Sequence, residues 1–318
     1  MKKLLFIYNP TAGMGKIRAR LGEIVDRFTA QDYEVTLHPT RGRGDATKFV
    51  RIRAREFDRI VCAGGDGTLN EVVTGLLNQT NPPPLGYIPT GTTNDFSRTL
   101  GLPCGRPLMA ATYSVTGTPS KVDVGMFNKR PFIYVAAFGL FSDVSYTTPQ
   151  KMKNVMGHLA YILNSIPQLA SIPKYHLRVE YDGDHVVEGD YIYGMISDTI
   201  SVGGVLDLDK DTVRLNDGKF EVLLVQRPKT PQELNDLIQA LTKQIYTEKV
   251  LGFQTSHITL TGPEEIPWTL DGEFGGSHKT AEIHVLPQAV TLVTNPNAEA
   301  LQEDEECEDD LEDEEFKQ

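Results

Sequence analysis

Three glycine-rich turns and one pair of carboxylates carry the residue types that could do chemistry. NPTAG (9–13), GGDGT (64–68) and PTGTTND (89–95) each follow a short apolar run. Glycine lets a backbone approach a phosphate closely and take positive φ, and a helix beginning just after the turn adds N–H donors and a favourable dipole. Asp66 sits oddly in such a loop, because a carboxylate repels the anion the loop would hold. A magnesium ion, or its water shell, between carboxylate and phosphate resolves the conflict. Far along the chain, Asp271 and Glu273 stand two apart in WTLDGEFGG, so in an extended segment they face one side. Paired carboxylates beside a hydroxyl substrate suit a general base with an electrostatic partner. Asp271-Gly272 also reads as an ordinary hairpin turn.

Two familiar phosphate-binding patterns fail on spacing. A P-loop needs glycine where Pro10 stands and Ser or Thr where Ile17 follows Gly15-Lys16. The dinucleotide fingerprint fails because Arg18 occupies the third glycine position after Gly13 and Gly15. The 7 histidines show no metal-ligand spacing, and the 3 cysteines form neither a disulfide framework nor a zinc pattern.

The elements that must position these loops alternate over the first part of the chain. Strands are expected at 4–9, 34–40, 59–64 and 85–90, with helices at 17–31, 45–57 and 68–78. Thr68 serves as an N-cap-like residue. Strands alternating with helices imply parallel βαβ units, so all three loops open on one edge of one sheet. After residue 122 the pattern changes to many strand-like runs, among them DTVRLNDG and KFEVLLVQ, separated by turn dipeptides. The fold class expected is α/β, an open parallel domain over residues 1–125, followed by a mainly antiparallel β-sandwich over 126–296. Helices at about 151–169 and 231–244 interrupt the second part, the latter opened by Thr230 and a proline.

Of the formal net charge of −12, residues from Ala298 onward hold −11, with 12 acidic residues and one lysine. Segment 297–318 reads as a disordered acidic appendage, and the body is nearly neutral. The short apolar run at the N-terminus is a buried strand rather than a signal peptide, and no stretch is long enough to span a membrane.

In order along the chain, NPTAG, AGGDGTLNEV (63–72), PTGTTNDF (89–96), KVDVG (121–125), RLNDGKF (214–220) and LDGEFGG (270–276) resemble the motif series of the bacterial diacylglycerol kinase family. That family belongs to the lipid-kinase group that includes sphingosine kinases. GGDGT alone is shared with NAD kinases and, as a variant, with phosphofructokinases; PTGTTND with the distal NDG and DGE is more specific.

The resemblance implies a phosphofructokinase- and NAD-kinase-like first domain and transfer of the γ-phosphoryl group of ATP, with Mg2+, to a lipid hydroxyl. It places Asn9, Pro10, Thr11, Ala12 and Gly13 on the nucleotide, with Thr40 nearby. Gly64, Gly65, Asp66, Gly67, Thr68, Leu69, Asn70 and Glu71 form the second phosphate loop, and Thr92, Thr93, Asn94 and Asp95 complete the cleft. Asn94 and Asp95 can equally cap the next helix. The resemblance makes Glu273 the base, gives Asp271 a supporting role and joins Asp123 to the Asp66 network; Asp123 also suits a plain strand-edge turn. It further implies a structural magnesium on Asp217 with the backbone of Arg214 or Leu215 and Lys219, although Asn216-Asp217-Gly218 makes a good turn by itself.

The acceptor implied is diacylglycerol at the cytoplasmic, inner face of the membrane. The alternatives are a sphingoid base or phosphatidylglycerol, then an NAD kinase, then a nucleotide sensor without turnover. Lys151 and Lys153 with Val155, Met156, Leu159, Ile162, Leu163 and Ile166 suit a segment that meets a bilayer, or a core stripe. The basic run Arg41, Arg43, Lys48, Arg51, Arg53, Arg55 and Arg59 reads as a solvated or membrane-surface face rather than a nucleic-acid site. A homodimer is expected from the resemblance alone.

Overall fold

The computed structural model describes residues 1–77, 79–91, 94–140, 155–166, 169–198 and 215–295. Thr92, Thr93, Lys151, Lys153, Arg214 and the acidic tail therefore lie outside the described residues. Contacts divide the chain into two units, residues 1–122 with 290–318, and residues 123–289.

The first unit runs β1 (Lys2–Tyr8), α1 (Lys16–Ala19), α2 (Leu21–Thr29), β2 (Tyr33–Pro39), α3 (Asp45–Arg53), β3 (Arg59–Gly64), α4 (Asp66–Leu76), β4 (Leu85–Pro89), α5 (Asp95–Thr99) and α6 (Pro107–Thr116), then enters β5 (Thr118–Phe127). Strands β4-β3-β1-β2 pair in that order, all parallel, with Tyr8 opposite Pro39 and Ala63, and Gly64 opposite Pro89. Their carboxyl ends are in line, so the loops that follow share one edge. Ile24 and Phe28 of α2 and Ala110 and Ala111 of α6 bury against one face of the sheet with Phe6, Val61 and Ile88. Helices α3 and α4 pack on each other.

Three helices depart from expectation. The helix expected at 17–31 breaks at Arg20, just ahead of Gly22, a poor helix former in the first turn of α2. The helix expected from Thr68 begins at Asp66 instead, with Gly65 extended at the N-cap. An acid in the first turn suits the positive end of the helix dipole, so Asp66 starts the helix and Thr68 lies inside it. Helix α6 was not legible, because PLMAATYSVT lacks a polar face to set its period.

The second unit continues with β6 (Arg130–Phe132), β7 (Val135–Gly139), α7 (Val155–Ser165), β8 (Tyr175–Tyr181), β9 (His185–Ser197), β10 (Phe220–Gln226), α8 (Pro231–Thr242), β11 (Val250–Thr255), β12 (His257–Leu270) and β13 (Glu273–Thr294). Within this unit the described pairing is antiparallel, and the last residues of β13 belong to the first unit, where Leu292 lies opposite Leu85 of β4 in a parallel pair. Strands β9 and β12 each pair with β8 over one part of their length and with β7 over another. Long strands that switch partners in this way fold a sheet over on itself, as in a sandwich. Phe127, Phe132, Phe138, Phe220 and Trp268 fill its interior.

Helices α7 and α8 bury Met156, Leu159, Leu163, Leu237 and Leu241 with residues of β9 and β10. The apolar stripe of α7 is thus core, not a bilayer face. Thr230 caps α8 by accepting from Glu233 N at 3.1 Å, as expected. Of the strand-like run 211–218, the described residues Leu215 to Gly218 are turn and bend. Arg59 leaves the expected basic face: it is buried, with Nη1 donating to Ser114 O at 3.3 Å. Among the described residues no helix is long and apolar enough to cross a membrane.

Candidate active site

Backbone contacts knit the three glycine loops of the first unit together. Asn9 N donates to Ala63 O, and Thr90 N to Gly64 O, each at 2.9 Å, so every loop begins tied to the strand beside it. Gly13 has φ +56°, and a Cβ there would lie 2.7 Å from Thr90 O. A Cβ on Gly91 would lie 2.5 Å from Gly65 Cα. Neither glycine can take a side chain without moving backbone, so first touches third and second touches third.

Side chains inside the loops set their shape. Asn9 Oδ1 accepts from Thr11 N at 3.0 Å and Thr11 Oγ1 at 2.9 Å, closing an Asx turn. Asn94, at φ +47°, turns its amide back on Gly91, accepting from Gly91 N at 2.8 Å and donating to Gly91 O at 2.7 Å. It closes its own loop. Thr40 N donates to Tyr8 O at 2.9 Å, which fixes Thr40 at the same edge.

Asp66 is buried at the N-terminus of α4. Beside it lies the Tyr87 hydroxyl, which donates to Gly64 O at 3.2 Å and reaches Asn94 Oδ1 at 3.3 Å. Burial and the neighbouring Asp66 charge push the Tyr87 phenol well above its ordinary range, so it remains a donor. Sequence reasoning missed Tyr87, since an aromatic in a buried strand carries no signal of a polar task. Glu71, grouped with this loop by sequence, faces elsewhere. Its carboxylate accepts from Gly44 N at 2.6 Å and Ala46 N at 3.2 Å, holding the start of α3.

In the second unit, Asp271 and Glu273 lie on a hairpin turn rather than in one extended segment. Asp271 (φ +46°) and Gly272 (φ +81°) are the two central residues of the hairpin joining β12 to β13, and Leu270 pairs with Glu273. Positive φ at both central positions is the signature of the tight hairpin turn that matches strand twist. The turn buries the Asp271 side chain. Its Oδ2 accepts from Ile133 N at 2.7 Å, and its Oδ1 from Tyr134 N at 2.9 Å and Val135 N at 3.1 Å. Glu273 is half exposed, with Arg130 Nη2 at 4.0 Å, and Arg130 Nη1 donates to Phe274 O at 3.0 Å.

Asp123 holds the NDG turn. Its Oδ2 accepts from Gly218 N and its Oδ1 from Gln288 N, both at 2.6 Å, while its own N–H donates to Leu215 O at 2.7 Å. Within the turn, Lys219 N donates to Asp217 Oδ1 at 3.0 Å. Asp198 and Glu221, which no motif singled out, add two more acids. Asp198 Oδ1 and Glu221 Oε2 are buried without a hydrogen-bond partner. Burial, then the charges of Asp123, Glu221 and Asp217, push the Asp198 carboxyl well above the usual range, and burial raises Glu221 to about 7. Among the described residues no three His, Cys, Asp or Glu side chains converge on one point. Buried carboxylates with orphaned oxygens that feel one another's charge nonetheless fit a hard cation.

The chain matches a model described as the diacylglycerol kinase catalytic domain over residues 3–127. Over residues 135–294 it matches the YegS C-terminal NAD kinase beta sandwich-like domain. It is 36% identical over 278 residues to a diacylglycerol kinase of Bacillus subtilis (strain 168), covering 87% of this chain and 91% of that one. The chain belongs to the diacylglycerol kinase family. A second member, from Staphylococcus carnosus (strain TM300), is 34% identical over 309 residues, covering 95% of this chain and 99% of its own. A crystal structure of a family member from Bacillus anthracis str. Sterne is similar with a TM-score of 0.69 at 27% identity, covering 93% of this chain and 97% of that one. A kinase family of this kind transfers phosphate from a nucleotide to an alcohol, which is the chemistry the glycine loops suit.

Proposed function

We propose that this protein transfers the γ-phosphoryl group of ATP to the hydroxyl of diacylglycerol, giving phosphatidic acid at the inner face of the membrane. The observation that carries the reading is the meeting of Gly13 with Thr90 and Gly65 with Gly91. Three loops that exclude side chains from their contacts leave backbone amides as their lining, and phosphoryl transfer asks a protein mainly for such positioning. That the relatives are named diacylglycerol kinases supports diacylglycerol as acceptor.

Asn9 to Gly13, Gly64 to Thr68 and Thr90 to Asn94 hold the triphosphate, with Thr40 beside them. Asp66 and Tyr87 form the polar floor of the second loop. Glu273, half exposed on a short hairpin, takes the proton of the acceptor hydroxyl. Asp271 and Asp123 act as positioning residues, the first fixing the Glu273 hairpin and the second the NDG turn. Mg2+, when bound, would offset the repulsion between Asp66 and the phosphates; a second ion suits Asp217 with the backbone carbonyls of Arg214 or Leu215 and of Lys219.

The test is turnover of labelled ATP with diacylglycerol, sphingosine and phosphatidylglycerol in matched micelles. Phosphatidic acid as the dominant product is expected. Product from sphingosine or phosphatidylglycerol alone would move the substrate assignment, and ATP binding with no lipid product from any of them would end the kinase reading.

A further inference from the structure

The outer side of α3, in the first unit, gathers positive charge around an apolar side chain. Ile52 there is 78% exposed, more than any other large apolar side chain among the described residues except Met1. Lys48, Arg51 and Arg55 are exposed around it. Positions 48, 51, 52 and 55 follow the i, i+3, i+4, i+7 spacing that puts side chains on one side of a helix. Arg41, also exposed, stands in the loop just before α3.

The inner side fixes which residues point outward. Ala46, Val50 and Ala54, four apart, are buried. Val50 seats against Gly75 of α4, where a Cβ would lie 2.7 Å from Val50 Cβ. Ile52 falls on the opposite side, so the packing that holds α3 does not use it. The acids of the segment are engaged away from this face. Asp45 Oδ2 accepts from Arg41 N at 3.1 Å and lies 2.9 Å from His38 Nε2, Glu56 Oε1 accepts from Arg53 Nε at 2.9 Å, and Asp58 Oδ2 accepts from Lys3 N at 2.7 Å. Arg55 Nε donates to the neutral Gln79 Oε1 at 3.0 Å, which leaves its charge uncompensated by that contact.

A single exposed apolar residue is ordinary on a protein surface. A solvated helix face, however, gains from an acid four residues from each Lys or Arg, and the residues four before and four after Lys48, Arg51 and Arg55 include none. Cations ringing an isoleucine match an anionic bilayer, where headgroups meet the charge and the apolar side chain enters the headgroup boundary. Other polyanions fit less well. The acidic segment 303–315 offers charge but a single leucine for Ile52 to meet. Nucleic acid asks for exposed aromatics among the cations, whereas Phe49 stacks on His38 and Phe57 is buried. A second copy meeting this face would set cations against cations. We propose that the outer face of α3 docks the protein on an anionic membrane surface, with Ile52 inserted and Lys48, Arg51 and Arg55 on the headgroups. The proposal concerns where the protein sits and not the reaction at the glycine loops, so vesicle binding tests it apart from turnover.

The full chain is sedimented with vesicles of phosphatidylcholine alone and of phosphatidylcholine with phosphatidylglycerol. Recruitment by the anionic vesicles only is expected, and high salt should abolish it. Arg51→Gln and Ile52→Ser should each weaken it roughly fivefold, with melting temperatures unchanged. Arg51→Lys keeps the charge and should bind like the unaltered chain. Arg27→Gln, which removes an exposed arginine from α2, should also leave binding unchanged. The proposal is overturned if the anionic vesicles do not sediment the chain, if neutral vesicles sediment it equally, if Arg51→Gln and Ile52→Ser bind like the unaltered chain, or if Arg27→Gln loses as much as they do. Self-association, or binding of a peptide of residues 298–318 or of duplex DNA, that is lost in Arg51→Gln and Ile52→Ser while vesicle binding is kept makes that partner the occupant and overturns it as well.

Discussion

Gly91 shows how much one missing side chain carries. Alanine there would place a Cβ 2.5 Å from Gly65 Cα, and only backbone movement can relieve it. Gly91→Ala is expected to cost ~1–3 kcal/mol of stability and to weaken binding of an ATP analogue, measured by melting and by titration. Gly22, whose Cβ would meet nothing within 4 Å, is the control: Gly22→Ala in α2 should stabilise by a few tenths of a kcal/mol to about 1 kcal/mol and leave nucleotide binding alone. Asp271 and Glu273 separate in the same way. Glu273→Gln removes the half-exposed carboxylate that we propose as the base, so kcat should fall roughly 10²- to 10⁴-fold with the melting temperature and ATP affinity unchanged. Asp271→Asn replaces an anion that accepts three backbone N–H groups with an amide that has one accepting oxygen. Its main effect should be a loss of about 2 kcal/mol or more of stability. Equal melting temperatures for the two variants would contradict the division between base and positioning residue.

At the scale of elements, the loops were legible because glycine and proline punctuate the chain, and strand β3 spans the expected residues 59–64. The start of α4 was less so, because Asp66 and Thr68 both satisfy helix-start chemistry and only the extended Gly65 decides between them. The partner switches of β9 and β12 were not legible at all: they depend on pairings between strands far apart in sequence, which local alternation cannot encode. The same holds for Asp271, whose N–H donors lie more than 130 residues earlier. Glu71 is the helical counterpart. The motif groups it with the phosphate loop, whereas tertiary contacts use it to cap α3 across 25 to 27 residues of chain. Glu71→Gln keeps one acceptor oxygen and removes the charge that favours the positive end of α3. A loss of ~1 kcal/mol is expected, with faster hydrogen exchange confined to residues 44–48. Uniformly faster exchange across the first unit would show that Glu71 supports more than the start of α3.

The charge of the whole molecule is divided very unevenly, with −11 in the last residues from Ala298 and −1 in all the rest. A segment so acidic repels an anionic bilayer, and over a Debye length of ~8 Å at physiological salt the repulsion acts only when the segment is close to the surface. The folded units, nearly neutral in sum, keep local basic regions such as the exposed face of α3. Removing the chain after Pro296 takes away repulsion without touching any residue assigned to the loops, the Glu273 hairpin or the NDG turn. Turnover of a soluble short-chain diacylglycerol should therefore be unchanged by the truncation. Sedimentation with anionic vesicles should rise, and the gain should disappear in high salt because its origin is screened charge. Binding to neutral vesicles should not change. If truncation instead lowered turnover of the soluble substrate, the acidic segment would belong to the catalytic machinery; if vesicle binding rose equally with neutral lipid, something other than charge would hold the chain away from the membrane.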